Sequence, residues 1–212
     1  MVKIANFKDT YPSATTFFNE WAEIGKDEGM EKGHSDSVNF MFDQLSPKFK
    51  KPFSALDVGC GNGWVVRKFK KAEMCKVAMG IDGADKMIQK AQGIDSSNQY
   101  FCADILQWSP VQKFNIIHSM EVLYYLENPL EFMNTIYTKW LNKTGCFIFG
   151  IDHYAENSPS RNWPTECGVN MNTQAINYWI TIMKEAGFNN VQYWQTGAED
   201  EWMGTLVIFG ER

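Results

Sequence analysis

The chain has 212 residues, is 44% hydrophobic and 21% charged, and carries a formal net charge of −5. That length gives one domain with ample core, and the acidic balance weighs against a nucleic-acid substrate, which calls for a basic stripe. No apolar run reaches the ~20 residues of a membrane helix, and residues 1–9 show no leader segment, so a cytoplasmic location with no membrane partner is expected.

The first 50 residues read as helical, with helices near 14–27 and 35–46 and the segment Glu28–His34 between them. Phe18 and Trp21 share one helix face at i, i+3. From residue 53 onward, strands and helices alternate. Strands are predicted near 53–58, 76–81, 98–102, 114–119 and 145–151, and helices near 63–71, 84–92 and 129–141. Such alternation makes a parallel sheet with right-handed crossovers. Asn142-Lys143-Thr144-Gly145 reads as a helix stop and turn. After residue 151 comes a long connection, His153–Asn170, of the kind that often forms a lid or binding loop. A helix at 172–186 and strands near 190–196 and 203–210, joined by Gly197–Trp202, suit an antiparallel hairpin at the sheet edge. The expected organisation is a single domain: cap 1–50, core 51–152, lid 153–170, and a C-terminal helix and hairpin 171–212.

The most informative stretch is Leu56-Asp57-Val58-Gly59-Cys60-Gly61-Asn62-Gly63. A buried strand, a glycine turn and a helix make a nucleotide-shaped site. The third glycine of a dinucleotide fingerprint would fall at position 64, which is Trp64. Asp57 at the strand end is a poor neighbour for a pyrophosphate and suits a ligand bearing an ammonium group instead. Nineteen residues past Gly63 stands Asp82, where a ribose hydroxyl pair is gripped. The competing reading of Asp82 is a helix N-cap for residues 84–92. Gly83 beside it lets a ligand approach the backbone.

Asp57-Val58-Gly59-Cys60-Gly61-Asn62-Gly63 matches D-x-G-x-G-x-G at all four defined positions. In this the sequence resembles the class I S-adenosylmethionine-dependent methyltransferases, over roughly residues 53–151. The resemblance implies an α/β, Rossmann-like seven-stranded sheet, mostly parallel with an antiparallel last strand and helices on both faces. It implies S-adenosylmethionine as cofactor and S-adenosylhomocysteine as product. Cofactor contacts are then expected from Asp57, Gly59, Cys60, Gly61 and Gly63, from Asp82, Gly83 and Met87, and from Asp104 and Ile105 at the adenine. Asp104 has a competing reading as a turn aspartate before Leu106–Trp108. Ser119 and Met120 stand where the family places methyl-donor contacts, and Trp21 could cap the methionine part.

Methyl transfer requires little beyond alignment and exclusion of water, and a base matters only if the acceptor must lose a proton. His153 and Glu121 are the candidates for that role; Glu121 could instead bind a cationic substrate or the cofactor. His118, inside an apolar strand, reads as a core histidine. Tyr124, Tyr154, Trp163 and Trp202 are expected at the acceptor, where aromatics can cage a cationic amine or stack on a ring. Five cysteines without C-x-x-C pairing read as buried reduced thiols, and three scattered histidines argue against a metal site. The leading expectation is a methyltransferase for a small molecule. The alternatives are one acting on tRNA or protein, a non-catalytic cofactor-binding protein, and, disfavoured by Trp64 and Asp57, a nicotinamide-dependent oxidoreductase.

Overall fold

A computed structural model describes residues 7, 8 and 10–212. The expectation for residues 1–9 therefore lies largely outside the described residues. The elements in chain order are α1 (Ala14–Glu23), α2 (Glu28–Leu45), β1 (Phe53–Val58), α3 (Trp64–Lys70), β2 (Cys75–Asp82), α4 (Asp85–Ile94), β3 (Gln99–Cys102), β4 (Phe114–Met120), α5 (Pro129–Thr135), β5 (Leu141–Ile151), α6 (Trp163–Glu166), α7 (Ile176–Glu185), β6 (Asn189–Thr196) and β7 (Thr205–Glu211). The seven strands form one sheet in the order β3-β2-β1-β4-β5-β7-β6. β7 runs antiparallel to both neighbours, and the other pairings are parallel.

Alternate strand residues face opposite sides of a sheet, and two apolar layers result. Leu56, Val58, Phe147 and Phe149 pack with Phe132 of α5 and Trp179 of α7. Ala55, Cys146 and Ile148 pack with Met41 of α2 and Phe69 of α3 on the other side. Near-continuous burial along β4 and β7 follows from this two-sided cover.

Several boundaries differ from the sequence reading. Residues 28–45 form one 18-residue helix rather than a link followed by a helix. Gly29 and Gly33 weaken its first turns, but both face open space. Val38, Met41 and Leu45, at i, i+3 and i+7, anchor the helix on the sheet. The segment 142–145 is not a free turn: Phe114 pairs with Leu141 and Ile116 with Cys146, so the residues between bulge within β5. The helix ahead of it ends in a π-turn, Ile136–Trp140.

The 153–170 connection is anchored rather than loose. Asn157 is fully buried; its amide donates to the Asp152 carbonyl at 2.8 Å and its Oδ1 accepts from the Met203 N–H at 3.1 Å. Of the five cysteines, Cys60, Cys75 and Cys146 are buried as expected, whereas Cys102 is exposed and Cys167 partly exposed. Cys102 lies on β3, the sheet edge, where only one neighbouring strand covers it. Among the described residues no helix is long and apolar enough to cross a membrane.

Candidate functional site

The carboxyl ends of β1, β2 and β4 open onto a cavity of about 710 Å3, within the usual 300–1,000 Å3 of ligand pockets. Open α/β sheets bind ligands at this end. β1 stops at Val58, and Gly59 turns with φ +70°, in the left-handed region that favours glycine. The Gly59 and Cys60 N–H groups both donate to the Ile81 carbonyl, at 2.8 and 3.0 Å. This ties the glycine turn to the end of β2. Asp82 completes the tie: Oδ2 accepts from Gly61 N–H at 2.9 Å and Oδ1 from Ala84 N–H at 2.8 Å. Each oxygen keeps a free lone pair for a ligand. The N-cap of α4 is Ala84 and not Asp82, so the bond to Ala84 N–H is a turn ahead of the helix and not the cap the sequence left open; it is compatible with ligand binding.

The N-terminal helices form the roof. Ser13 caps α1 by accepting from Thr16 N–H at 3.2 Å. On α1, Phe17 and Trp21 lie 5.1 Å apart, and Phe18 meets Tyr125 edge-on at 5.6 Å, which joins the roof to the segment after β4. Asn19 Oδ1 accepts from Lys86 N–H at 3.0 Å. Between α1 and α2, buried Asp27 accepts from Lys90 Nζ at 2.5 Å and from the Asn62 amide at 3.2 Å. The roof is thus fastened to α4 and to the glycine turn.

Most expected cofactor contacts converge on this cavity: Trp21, Gly59, Gly61, Asp82 and Gly83, then Met87, Asp104, Ile105 and Met120. Glu121, Tyr124 and Trp163 also line it. Asp104 Oδ1 accepts from Leu106 N–H at 2.9 Å, the turn geometry of its competing reading, while the residue stays exposed to the cavity.

Other expected contacts stand outside the lining. Asp57 is buried, with Oδ1 2.7 Å from His118 Nδ1. It therefore faces the core and not a ligand ammonium. Burial pushes its carboxyl up, and His118 opposes that shift. His118 is buried as expected. Cys60 lies behind the turn against Gly80, with its thiol pushed well up by burial and by Asp82 and Asp57. Gly63 backs onto the Tyr100 ring, with no room for a methyl group. The Ser119 hydroxyl donates to the Val58 carbonyl at 2.9 Å and pins β4 to β1.

His153 is fully buried, with Nδ1 2.9 Å from the Ser160 carbonyl and Nε2 2.7 Å from Thr173 Oγ1. Both nitrogens are occupied and its pKa is lowered by burial, so it cannot reach an acceptor. Its ring instead packs between Tyr124 at 5.4 Å and Trp163 at 6.3 Å and holds those two walls apart. Tyr154 is buried and donates to the Gly204 carbonyl at 2.9 Å, so it too stands away from the acceptor. Trp202 lies beside Trp163 at 6.1 Å without lining the cavity.

Sequence reasoning missed Phe17, Tyr125 and Glu166, which line the cavity alongside Met30 and His34. Phe17 was within reach, since i, i+4 places it on the face of Trp21. The partner of His34 carried no local signal: Asp152, which faces it at 3.7 Å, is more than a hundred residues away in sequence.

Glu121 follows β4 with φ +60°, a strained value for a side-chain-bearing residue. Its Oε1 accepts from Asp152 N–H at 2.5 Å, and Oε2 from the Tyr124 hydroxyl at 2.7 Å. Burial and then the Asp152 charge push this carboxyl well up, against the pull of those two donors. Burial likewise raises Asp152, opposed by Thr205 and His34, and lowers His34, opposed by Asp152.

Charge decides which nucleoside fits. Among the described residues the cavity is lined by Asp82, Asp104, Glu121 and Glu166, and by no lysine or arginine. A pyrophosphate would meet four carboxylates and no counter-charge, whereas a nucleoside carrying sulfonium and ammonium groups is compatible. The methyltransferase domain family matches residues 29–193. The chain belongs to this methyltransferase family. Its cofactor is S-adenosylmethionine. Asp82 would meet the ribose hydroxyls, Asp104 and Ile105 the adenine, and Met120 the methionine arm; the cofactor itself supplies the electrophilic methyl group.

The methyltransferase is similar to a tRNA U34 carboxymethyltransferase of Actinobacillus pleuropneumoniae, 28% identical over 46% of this chain and 33% of that protein. It is also 31% identical to nodulation protein S of Sinorhizobium fredii, over 55% of this chain and 54% of that one. The matches to these curated relatives thus span about a third to a half of their length. Among solved structures, a chain from the complex of a Haloferax volcanii methyltransferase activator with its methyltransferase superposes with TM-score 0.78 at 20% identity, covering 92% of this chain and 96% of that one. The N-methyltransferase NodS of Bradyrhizobium japonicum, crystallised with S-adenosylhomocysteine, gives 0.58 at 24%, over 79% and 81%. At these identities the likeness is one of fold.

Proposed function

We propose that the protein transfers the methyl group of S-adenosylmethionine to a small-molecule acceptor. The observation that carries this reading is the continuity of the cavity. Its Asp82 and glycine end suits a nucleoside, and its Tyr124, Tyr125 and Trp163 end suits a second, partly aromatic molecule beside it. Alignment in a roofed, apolar space is the main requirement of the reaction. The roof made by α1 and the lack of lysine and arginine in the lining among the described residues favour a small acceptor over tRNA. Catalysis then rests on Met120, Glu121 and Tyr124 at the junction of the two ends, with Asp57, Cys60, Gly63 and Ser119 shaping the turn from behind.

The test is methyl transfer from labelled S-adenosylmethionine to two pools, fractionated small metabolites and bulk tRNA. Label in the metabolite pool supports the reading. Label in tRNA alone moves the acceptor to nucleic acid. S-adenosylhomocysteine binding without label in either pool leaves a cofactor-binding protein without turnover.

A further inference from the structure

The acceptor end of the cavity is more specific than a generic apolar pocket. Six aromatic rings line the whole space, those of Phe17, Phe18, Trp21, Tyr124, Tyr125 and Trp163. Asp82 and Asp104 belong to the nucleoside end. That leaves Glu121 at the floor and Glu166 at the exposed rim without any lysine or arginine in the lining among the described residues. The titratable groups that act on Glu121 are Tyr124, Tyr125 and Asp152, and His34 faces Asp152 behind them at 3.7 Å. His34 is the one group there that could carry a positive charge, and burial disfavours its charged form. Behind Glu121, Asp152 is 6% exposed and its Oδ1 has no hydrogen-bond partner. Its Oδ2 faces His34 Nδ1 at 3.7 Å, so this end of the site sets aromatic faces beside a buried Glu121 carboxyl whose charged form a bound cation would favour.

Aromatic faces and a carboxylate together select a cation. A carboxylate or phosphate acceptor would be repelled. A neutral alcohol would gain from hydrogen bonding alone and nothing from the ring faces as a cation does. A protonated amine satisfies both features. We propose that, given the methyltransferase reading, the acceptor is an amine that enters as its ammonium ion, sits between Tyr124, Tyr125 and Trp163, and gives a proton to Glu121 before methylation. The freed nitrogen lone pair then forms the N–C bond as the C–S bond breaks. The bonding pair leaves on sulfur as the neutral thioether of S-adenosylhomocysteine, and the product is the N-methylammonium ion. A bound cation favours the charged form of Glu121, opposing the burial that otherwise keeps it protonated. The two hydrogen bonds already on its oxygens hold the carboxylate in place for the transfer.

The probe is a charge series of one shape: 2-phenylethylamine, 2-phenylethanol and phenylacetate, titrated by calorimetry into the full chain loaded with S-adenosylhomocysteine. The amine is expected to bind about tenfold or more tighter than the alcohol, with no binding by the acid in the millimolar range. Glu121→Gln is expected to lose about tenfold for the amine while S-adenosylhomocysteine affinity stays within about twofold, and Glu166→Gln to lose about threefold. The amine should also yield an N-methyl product from labelled donor. Equal binding of the alcohol, tighter binding of the acid, or no millimolar binding of the amine overturns the proposal. The wild-type series decides even if Glu121→Gln does not fold. Failure of S-adenosylhomocysteine to bind at all would instead strike the underlying methyltransferase reading.

Discussion

Replacing Asp82 with alanine tests the nucleoside end and yields two separable numbers. The carboxylate holds the Gly61 N–H at 2.9 Å and the Ala84 N–H at 2.8 Å, and both residues are buried. Leaving two buried donors unpaired costs about 1–3 kcal/mol each, or roughly 2–6 kcal/mol of folding stability. Against a typical total of about 5–15 kcal/mol, the variant is folded but weakened at best. The second number concerns the ligand. Two ribose hydroxyls donating to a carboxylate contribute about 1.5–3 kcal/mol each, so their loss weakens S-adenosylhomocysteine binding by roughly two to four powers of ten. Urea unfolding of the free protein measures the first, and calorimetric titration at a temperature where the variant is folded measures the second. Asp82→Asn, which keeps one acceptor oxygen, should fall between wild type and Asp82→Ala in both. A folded Asp82→Ala that binds the ligand within about threefold of wild type would refute the ribose assignment. A variant as stable as wild type would refute the claim that the carboxylate holds the turn.

Three further outcomes follow from the buried polar groups. Glu121 has a raised folded-state pKa, so the native state binds its proton more readily than the unfolded chain. Its contribution is present at low pH and lost as pH rises through the folded value. Wild type should therefore lose stability relative to Glu121→Gln as pH rises above the ordinary carboxylate range, and a pH-independent difference between their urea midpoints would contradict this. His118→Leu leaves Asp57 buried without its partner and should cost about 3–5 kcal/mol in urea unfolding, while replacing both residues with apolar ones recovers much of it; a loss below about 1 kcal/mol would show the pair to be dispensable. His153→Ala removes bonds to Ser160 and Thr173 and should lower stability by about 1–3 kcal/mol while turnover persists wherever the variant is folded. A hundredfold fall in kcat with unchanged cofactor affinity would restore His153 as the base.

The nucleoside end was readable in the sequence because its parts are local. A strand end, a glycine turn and the acidic residue closing the next strand lie within 27 residues, from Asp57 to Gly83, and backbone geometry brings them together in any sheet of this topology. Misassignments arose where a side chain had two directions to take. Asp57 has the right residue type at the right position, yet His118 on the neighbouring strand draws it into the core. His153 follows a strand end as a catalytic base would, but the chain after it folds back and occupies both ring nitrogens. Residues 28–34 read as a segment between two helices, and docking of Val38, Met41 and Leu45 on the sheet carries the helix through them.

By itself, the sequence determined the sheet, its antiparallel last strand and the residues of the cofactor's nucleoside end, since these depend on short-range pattern and strand order. Only the tertiary structure decided the acceptor end. There α1, α2, the segment after β4 and α6 converge, and the hydrogen bond from Asp152 N–H to Glu121 joins residues 31 positions apart. What Glu121 can do depends on that enclosure: burial beside Asp152, with no lysine or arginine in the lining among the described residues, turns an ordinary surface-type residue into a candidate site for a cation.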